Sequence, residues 1–440
     1  MAGEDTVRDV AIVGGGLAGL ACARALADAG RSVVVLEAEE DVGGRTRTVW
    51  HRGRPVDRGF QTLFRAYPET KRLIRAAGIP RRDLRPVSGG AVFHYGDRTE
   101  QLHPSPAGLA RFGGLSGADR RRLALLAAQA ARDPSECLVA TRTEAETTED
   151  YLRDSGFGEG AIEGFFRPFF GVVFQDRSLA ADPGYFRFLL GIMTRGPAVI
   201  PSDGLGMIAE WTAAGVRQKG GEVRLGARVE AIEADESGAR ARAVLLEGGE
   251  RIEARLVVLA TEAPATARLL GDLDPETTRR LPESAASSVT AAFALDTPLY
   301  SGRVIVLDCA PEPDPAHRVD LVCQTSNVTR PGAVEGPHIL LAMRVTTGGT
   351  PAAGIEEATE RLIARWVPGF PFSRVAEHIG TFEERFAQFR PVAGVRVELP
   401  GPRTALENVV LAGELTRHPS IEGAVGSGAH AADVAATLLA

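Results

Sequence analysis

The stretch RDVAIVGGGLAGLACARALADAGRSVVVLEAEEDVGGRTRT, residues 8–48, says more about the fold than any other part of the chain. It starts with an apolar strand, Val10 to Val13, followed by Gly14, Gly16 and Gly19 in GxGxxG spacing. An Ala/Leu-rich helix is expected over 17–29 and a second strand over 33–36, closed by Glu37. This strand–turn–helix–strand–acid order is the unit that cradles a dinucleotide. Gly14 permits the tight turn, Gly16 lets backbone approach a pyrophosphate, and Gly19 lets the helix pack closely on the sheet. The helix N-terminus favours phosphate charge. The Glu37 carboxylate, with Ala38 beside it, is placed to accept hydrogen bonds from ribose hydroxyls. A carboxylate there repels a 2′-phosphate, which argues against NADP.

The residues after Glu37 narrow the choice. A second glycine pair and an arginine, Gly43-Gly44-Arg45, return to the same turn. A guanidinium there can pair bidentately with the pyrophosphate, and this favours FAD over NAD. No second GxGxxG follows, so no separate NAD(P)H domain is expected. A reduced flavin would then pass its electrons to oxygen, a quinone or another acceptor.

Bulk properties exclude several classes. The length of 440 residues allows two or three domains. A net charge of −7 gives no reason to expect nucleic acid as a partner. Cys22, Cys137, Cys309 and Cys323 are widely spaced, without CxxC, which removes a redox dithiol and a thiolate zinc site. The histidines lack HxxH or HExxH spacing, so no metal is expected. No stretch reaches the ~18 apolar residues of a membrane span, and the N-terminus lacks a signal-peptide pattern. A cytoplasmic protein is the expectation, with peripheral membrane contact left open.

Periodicity sets the layout. Helices are expected over 67–77, 119–132, 148–155, 207–219, 355–366 and 422–439. Strands are expected over 223–225, 229–233, 241–246, 252–260, 288–295, 303–307, 319–325, 338–345 and 409–412, with 374–386 extended. The Phe-rich run 157–174, FGEGAIEGFFRPFFGVVF, reads as helices broken at Pro168 and lining a cavity. The fold expected is α/β: a discontinuous, Rossmann-like FAD-binding domain of glutathione-reductase type, with a second, mixed α+β substrate domain. Residues 1–85, 201–285 and 401–440 would form the first. Residues 86–200, mainly helical, and 286–400, strands and a helix, would form the second.

With these pieces in place, the chain resembles the superfamily of flavin-containing amine oxidases, phytoene desaturases and protoporphyrinogen oxidases. The resemblance rests on GGGLAGL with Glu37, GGR at 43–45, VDRGFQ at 56–61, the strand at Val229, VVLATEAP at 257–264 and LAGELTRHPSIEGAVGSGAHAA at 411–432. It implies that Gly413-Glu414 borders the ribityl or pyrophosphate region and that Val229 pairs its backbone with adenine. It implies that Gly59 and Gln61 pass beside the isoalloxazine. The helix starting near Ile421 would aim its N–H groups at the flavin pyrimidine, where charge builds on reduction. His418, between Glu414 and that helix, is a candidate catalytic or substrate-touching residue; Arg167 is a candidate either for orienting a polar substrate end or for capping a helix.

The chain departs from the amine oxidase branch twice. Neither Lys71 nor Lys219 lies where that branch keeps a lysine near flavin N5. Ser420 stands where it often has a tyrosine. The segment RFAQFRPV, 385–392, departs from the desaturase-like pattern. No cysteine lies in 401–440, so the flavin is expected to be non-covalent. The function expected is hydride transfer to flavin N5 from a largely apolar small molecule, such as an isoprenoid or secondary metabolite. The alternatives are an amine or amino-acid oxidase on the same fold, and a flavin-binding protein without turnover.

Overall fold

The computed structural model describes residues 7–140, 146–332, 335–392 and 399–440. Its first sheet is built around strand Arg8–Val13, flanked in parallel by Val33–Leu36 and Arg251–Leu259. Glu222–Arg224 extends the parallel set beyond 33–36, and Val409–Leu411 joins 251–259. Ala241–Leu246 and Val229–Ala234 continue it antiparallel. The inner parts of these strands, Val10–Val13, Val33–Leu36 and Leu256–Leu259, are apolar because both faces are covered there. Val10 and Ile12 face one core, filled by the helices Leu17–Asp28, Gly206–Gln218 and Ile421–Leu438. Ala11 and Val13 face the other core, with Val229, Val244 and Leu269.

The second sheet runs in the order 376–389, 285–295, 338–345, 321–323, 304–308, 90–94 and 99–102. All its pairings are antiparallel except Gly90–His94 against Val304–Asp308. Helix Ile355–Trp366 covers one face with Ile355, Ala358 and Leu362. The opposite face looks onto the Phe-rich helices.

Two expectations are corrected here. The 86–200 segment is not mainly helical at its start, because strands 90–94 and 99–102 form a hairpin at the edge of the second sheet. Pro168 does not break the Phe-rich run. Helix continues from 159 to 174, with a π-turn over Ile162–Phe166 just before Arg167–Phe174. Proline lacks the N–H that would bond the carbonyl four residues back. That carbonyl is Gly164 O, and it accepts the Tyr95 hydroxyl at 3.0 Å instead. The wider π-turn lies just ahead of the ring, and the carbonyl that proline cannot serve keeps a donor.

The hairpin Thr48–His51 and Arg54–Asp57 hands the chain back to the site through a buried acid. Asp57 Oδ1 accepts the Thr48 hydroxyl at 2.5 Å and the Leu205 N–H at 2.9 Å. Burial outweighs both bonds and pushes this carboxyl up to about 6. An acid whose pKa is raised on folding binds its proton more tightly in the native state, so it costs stability as pH rises. From about pH 4 to about pH 6, denaturant titrations should show falling stability, at up to about 1.4 kcal/mol per pKa unit. Asp57→Asn keeps an Oδ1 acceptor and should remove this component of the slope.

The closest helix contact is backbone on backbone. A Cβ at Gly428 would lie 2.1 Å from Ala18 O, whereas one at Gly160 would meet nothing within 4 Å. Gly428→Ala should therefore cost about 1–3 kcal/mol in urea unfolding. Gly160→Ala should be neutral or stabilising by up to about 1 kcal/mol.

Candidate functional site

A cavity of ≈ 980 Å³ runs from the first glycine turn to the inner face of the second sheet. Gly14 and Gly16, Glu37 and Ala38, Gly44 and Arg45 line one end of it. Gly59, Gln61, Val229, Gly413, Glu414 and Ile421 line it as well. These positions come from four separate stretches of sequence. Gly19 is the exception, since it lies behind the wall. A Cβ there would sit 2.0 Å from Gly14 O, so its role is the tight packing of helix on turn.

The geometry at Glu37 follows from the end of strand 33–36. Its Oε2 accepts the Gly15 N–H at 2.6 Å and its Oε1 the Glu39 N–H at 3.0 Å. The carboxylate therefore holds the glycine turn closed as well as lining the cavity. Glu39 lines the cavity as well and pairs with Arg47 at 3.3 Å and Arg228 at 3.5 Å.

Arg45 is not fully free to face a pyrophosphate. One of its nitrogens, Nη1, donates to Ala387 O at 2.7 Å and to Glu414 Oε1 at 2.8 Å. Burial works against its charge, but Glu414 more than offsets that and holds its pKa above the ordinary value. The same Glu414 oxygen accepts the Phe389 N–H at 3.3 Å, so the pair ties strand 376–389 to the segment after strand 409–411. Gln61 Nε2 donates to Arg45 O at 2.9 Å. Gly413 has φ +125°, and its N–H donates to Ser427 Oγ at 2.6 Å.

Ser420 caps the last helix, its hydroxyl accepting the Gly423 N–H at 2.9 Å. The free N–H groups at Ile421 sit at the cavity wall, where a helix N-terminus supplies positive potential.

His418 is corrected. It is 6% exposed and stands off the cavity wall, which Pro419 and Ser420 form instead. Its ring packs 4.8 Å from Phe188 and 6.0 Å from Tyr185, and its Nδ1 is 3.0 Å from Ser420 Oγ. Ring packing has drawn it inward, so it is no candidate for contact with substrate. Of the two roles expected for Arg167, the geometry favours the helix-end one: it binds Glu149, Glu163 and Arg177 O and clamps the Phe-rich helix from outside.

Sequence reasoning missed several wall residues. Tyr67, Gln175, Tyr185, Ser288, Glu384 and Gln388 all line the cavity. Burial pushes the Glu384 carboxyl up, against the pull of Arg58, Arg45 and Arg47. None of these sits in a local motif. Among the described residues, no three His, Cys, Asp or Glu side chains gather as a metal site, and no helix is long and apolar enough to cross a membrane.

The site is thus a glycine turn, a strand-end carboxylate and a second helix N-terminus on one cavity, which defines a dinucleotide-binding protein of the flavin type. The chain belongs to the family of flavin containing amine oxidoreductases, whose family model matches residues 17–436. Protoporphyrinogen oxidase 2 of Arabidopsis thaliana is 39% identical over 79 residues, 18% of this chain and 16% of that protein. Amine oxidase [flavin-containing] B of Sus scrofa is 58% identical over 88 residues, 20% of this chain and 16% of that protein. These matched stretches span only about a sixth of each relative's length. An oxidoreductase of Methanosarcina mazei shares the fold, with TM-score 0.74 at 17% identity, over 96% of this chain and 99% of that one.

The cofactor of this family is FAD, and the residues present fit it. A Cβ at Gly16 would meet no protein atom within 4 Å and would project into the space a pyrophosphate needs. Glu37→Ala should weaken FAD binding at least about tenfold, since charge-assisted bonds contribute roughly 1.5–3 kcal/mol each. It should also lower the melting temperature of the apoprotein, because Gly15 and Glu39 lose their acceptor. Exposed Glu40→Ala should leave both unchanged. Calorimetric FAD titration and thermal melts of the three proteins check this.

Proposed function

We propose that the protein is an FAD-dependent oxidoreductase that removes two hydrogens from a neutral, largely apolar small molecule. The observation that carries this is the charge distribution of the cavity. Its wall residues between positions 62 and 198 include no Asp, Glu, Lys or Arg. Leu109, Leu123, Phe165, Phe169, Leu189 and Met193 dominate that part. The charged wall groups all lie elsewhere: Glu37 to Arg47, Arg228, Glu262, Arg268, Glu384 and Glu414. An ammonium substrate in the apolar part would lose its water and gain no counter-ion, at a cost of several kcal/mol.

In this reading Gly14, Gly16, Gly44, Arg45 and the 17–28 helix N-terminus hold the pyrophosphate, while Glu37 and Ala38 border the ribose. Val229 meets the adenine, and Gly59, Gln61, Gly413, Glu414 and Ile421 border the flavin. Bound FAD supplies a hydride acceptor at N5. The chain contributes orientation and dryness. The apolar helices exclude water, and the Ile421 helix end stabilises negative charge on the reduced ring. No wall residue is assigned as acid or base. The acceptor that reoxidises the flavin is oxygen or a quinone. The two sheets support a division into an FAD domain (1–85, 201–285, 401–440) of glutathione-reductase type and a substrate domain (86–200, 286–400).

The relatives' names keep an amine oxidase as the competing reading. Anaerobic mixing of the yellow holoprotein with a panel of substrates separates the two. Neutral isoprenoids and polycyclic hydroaromatics should bleach the flavin, and benzylamine and putrescine should not. Rapid bleaching by either amine would overturn the proposal.

A further inference from the structure

Gln175 combines two unfavourable features at one point of the cavity. Its backbone is left-handed, with φ +52° and ψ +33°, at the end of helix 167–174. Glycine or asparagine usually takes that position, and any other residue is strained there. Its side chain lines the apolar cavity, yet the Oε1 is buried with no hydrogen-bond partner. Nothing in local folding calls for an amide here. Strain and an unmet polar atom in one wall residue point to a ligand.

Its neighbours make a built subsite. Gln388 also lines the cavity, and its Nε2 donates to Phe174 O at 2.5 Å, next to Gln175. Two residues further along each segment, Arg390 grips Asp176 at 2.5 Å. The two turns are therefore fastened together by a hydrogen bond and an ion pair. Ser288 lines the cavity from the adjoining strand, where Ala286 pairs with Gln388 and Ser288 with Glu384. Ser288 lies on the strand face of Ala292, toward the cavity core, while Val289 and Ala291 face the other core. Two amides and a hydroxyl from three elements thus lie on one wall, shared with Leu307, Leu321, Phe386 and, opposite Ser288, Glu384.

Resting on the apolar-substrate reading above, we propose that Gln175, Ser288 and Gln388 form a polar subsite for an uncharged headgroup that both donates and accepts hydrogen bonds. A hydroxyl or a carboxamide fits, because amides and a hydroxyl offer both roles. The substrate is then amphiphilic, with its polar end held by these residues and its apolar body along the Phe165 and Phe169 side.

The test uses FAD-loaded protein and three probes of equal chain length: octane, octanol and octanamide. Binding is read from the shift of the flavin absorption band. Octanol and octanamide should bind about tenfold tighter than octane, the worth of one buried hydrogen bond to a neutral partner. Gln175→Gly and Ser288→Ala should each reduce that preference at least about threefold and leave FAD affinity unchanged. Gln175→Gly should also keep or raise the melting temperature, because glycine suits the left-handed turn. Equal binding of all three probes, no band shift with any, or an unchanged preference in both variants would overturn the proposal. A lower melting temperature of Gln175→Gly would assign the amide a structural role and overturn it too. Failure of the protein to hold FAD would instead overturn the flavoenzyme reading, so the two failures are distinguishable.

Discussion

Everything at the site depends on how closely three backbones approach near the first turn. Gly19 lets helix 17–28 sit against Gly14 O, and Gly428 lets helix 421–438 sit against Ala18 O. No side chain separates these segments, so their positions are fixed by hard-sphere contact and not by adjustable packing. Residues some four hundred positions apart in sequence thereby border one cavity. The positive end of the first helix and the positive end of the last both face it. Moving either helix outward by the width of a methyl group would separate the two ends of the site.

The charged groups follow from that arrangement. Once the ends of the chain meet, the partly exposed Arg45 and the buried Glu414 are brought together, and the guanidinium offsets the cost of burying that carboxylate. The pair also fastens Ala387 and Phe389, so the second sheet is registered to the first through the same guanidinium and carboxylate. Arg344 is a useful contrast. It is 0% exposed and spends its donors on the carbonyls of Ala316, Arg318, Pro351 and Ala353. That arginine binds loops behind the sheet and has no access to chemistry. Burial alone does not distinguish the two; what each faces does.

Legibility in the sequence followed the range of the forces. Strands 33–36, 241–246 and 338–345 and helix 355–366 were readable to the residue, because apolar period and turn residues are local signals. The hairpin 90–102 was not. Its main partner is strand 304–308, two hundred residues on, and short strands carry little period of their own. Pro168 was misread for a similar reason, since what rescues the helix is the hydroxyl of Tyr95. At the site, the glycine turn and Glu37 carried their chemistry in their spacing. His418 had only proximity in sequence to recommend it, and ring packing against Phe188 decided its direction. Gln175 carried no signal at all, since left-handed backbone at a glutamine cannot be read from composition.

The π-turn ahead of Pro168 explains how a single helix can serve both core and cavity. Phe166, Phe170 and Phe174 pack inward with Phe186, with ring centroids 4.7–6.2 Å apart; Phe166 and Phe170 each meet Phe186 edge to face. Phe165 and Phe169 stack at 6.0 Å on the cavity side, and Phe93 extends the stack. The aromatic wall is therefore braced from behind by a second aromatic layer. Such a wall yields little, so it selects by shape and by the loss of water, without discriminating chemically among apolar groups. Chemical discrimination has to come from the few polar atoms that share the cavity. Those at the flavin end are already committed to Gly15, Glu39, Phe389 and one another. The unmet amide oxygen of Gln175 lies at the junction between the aromatic wall and the second sheet, where an apolar body would end and a polar group begin.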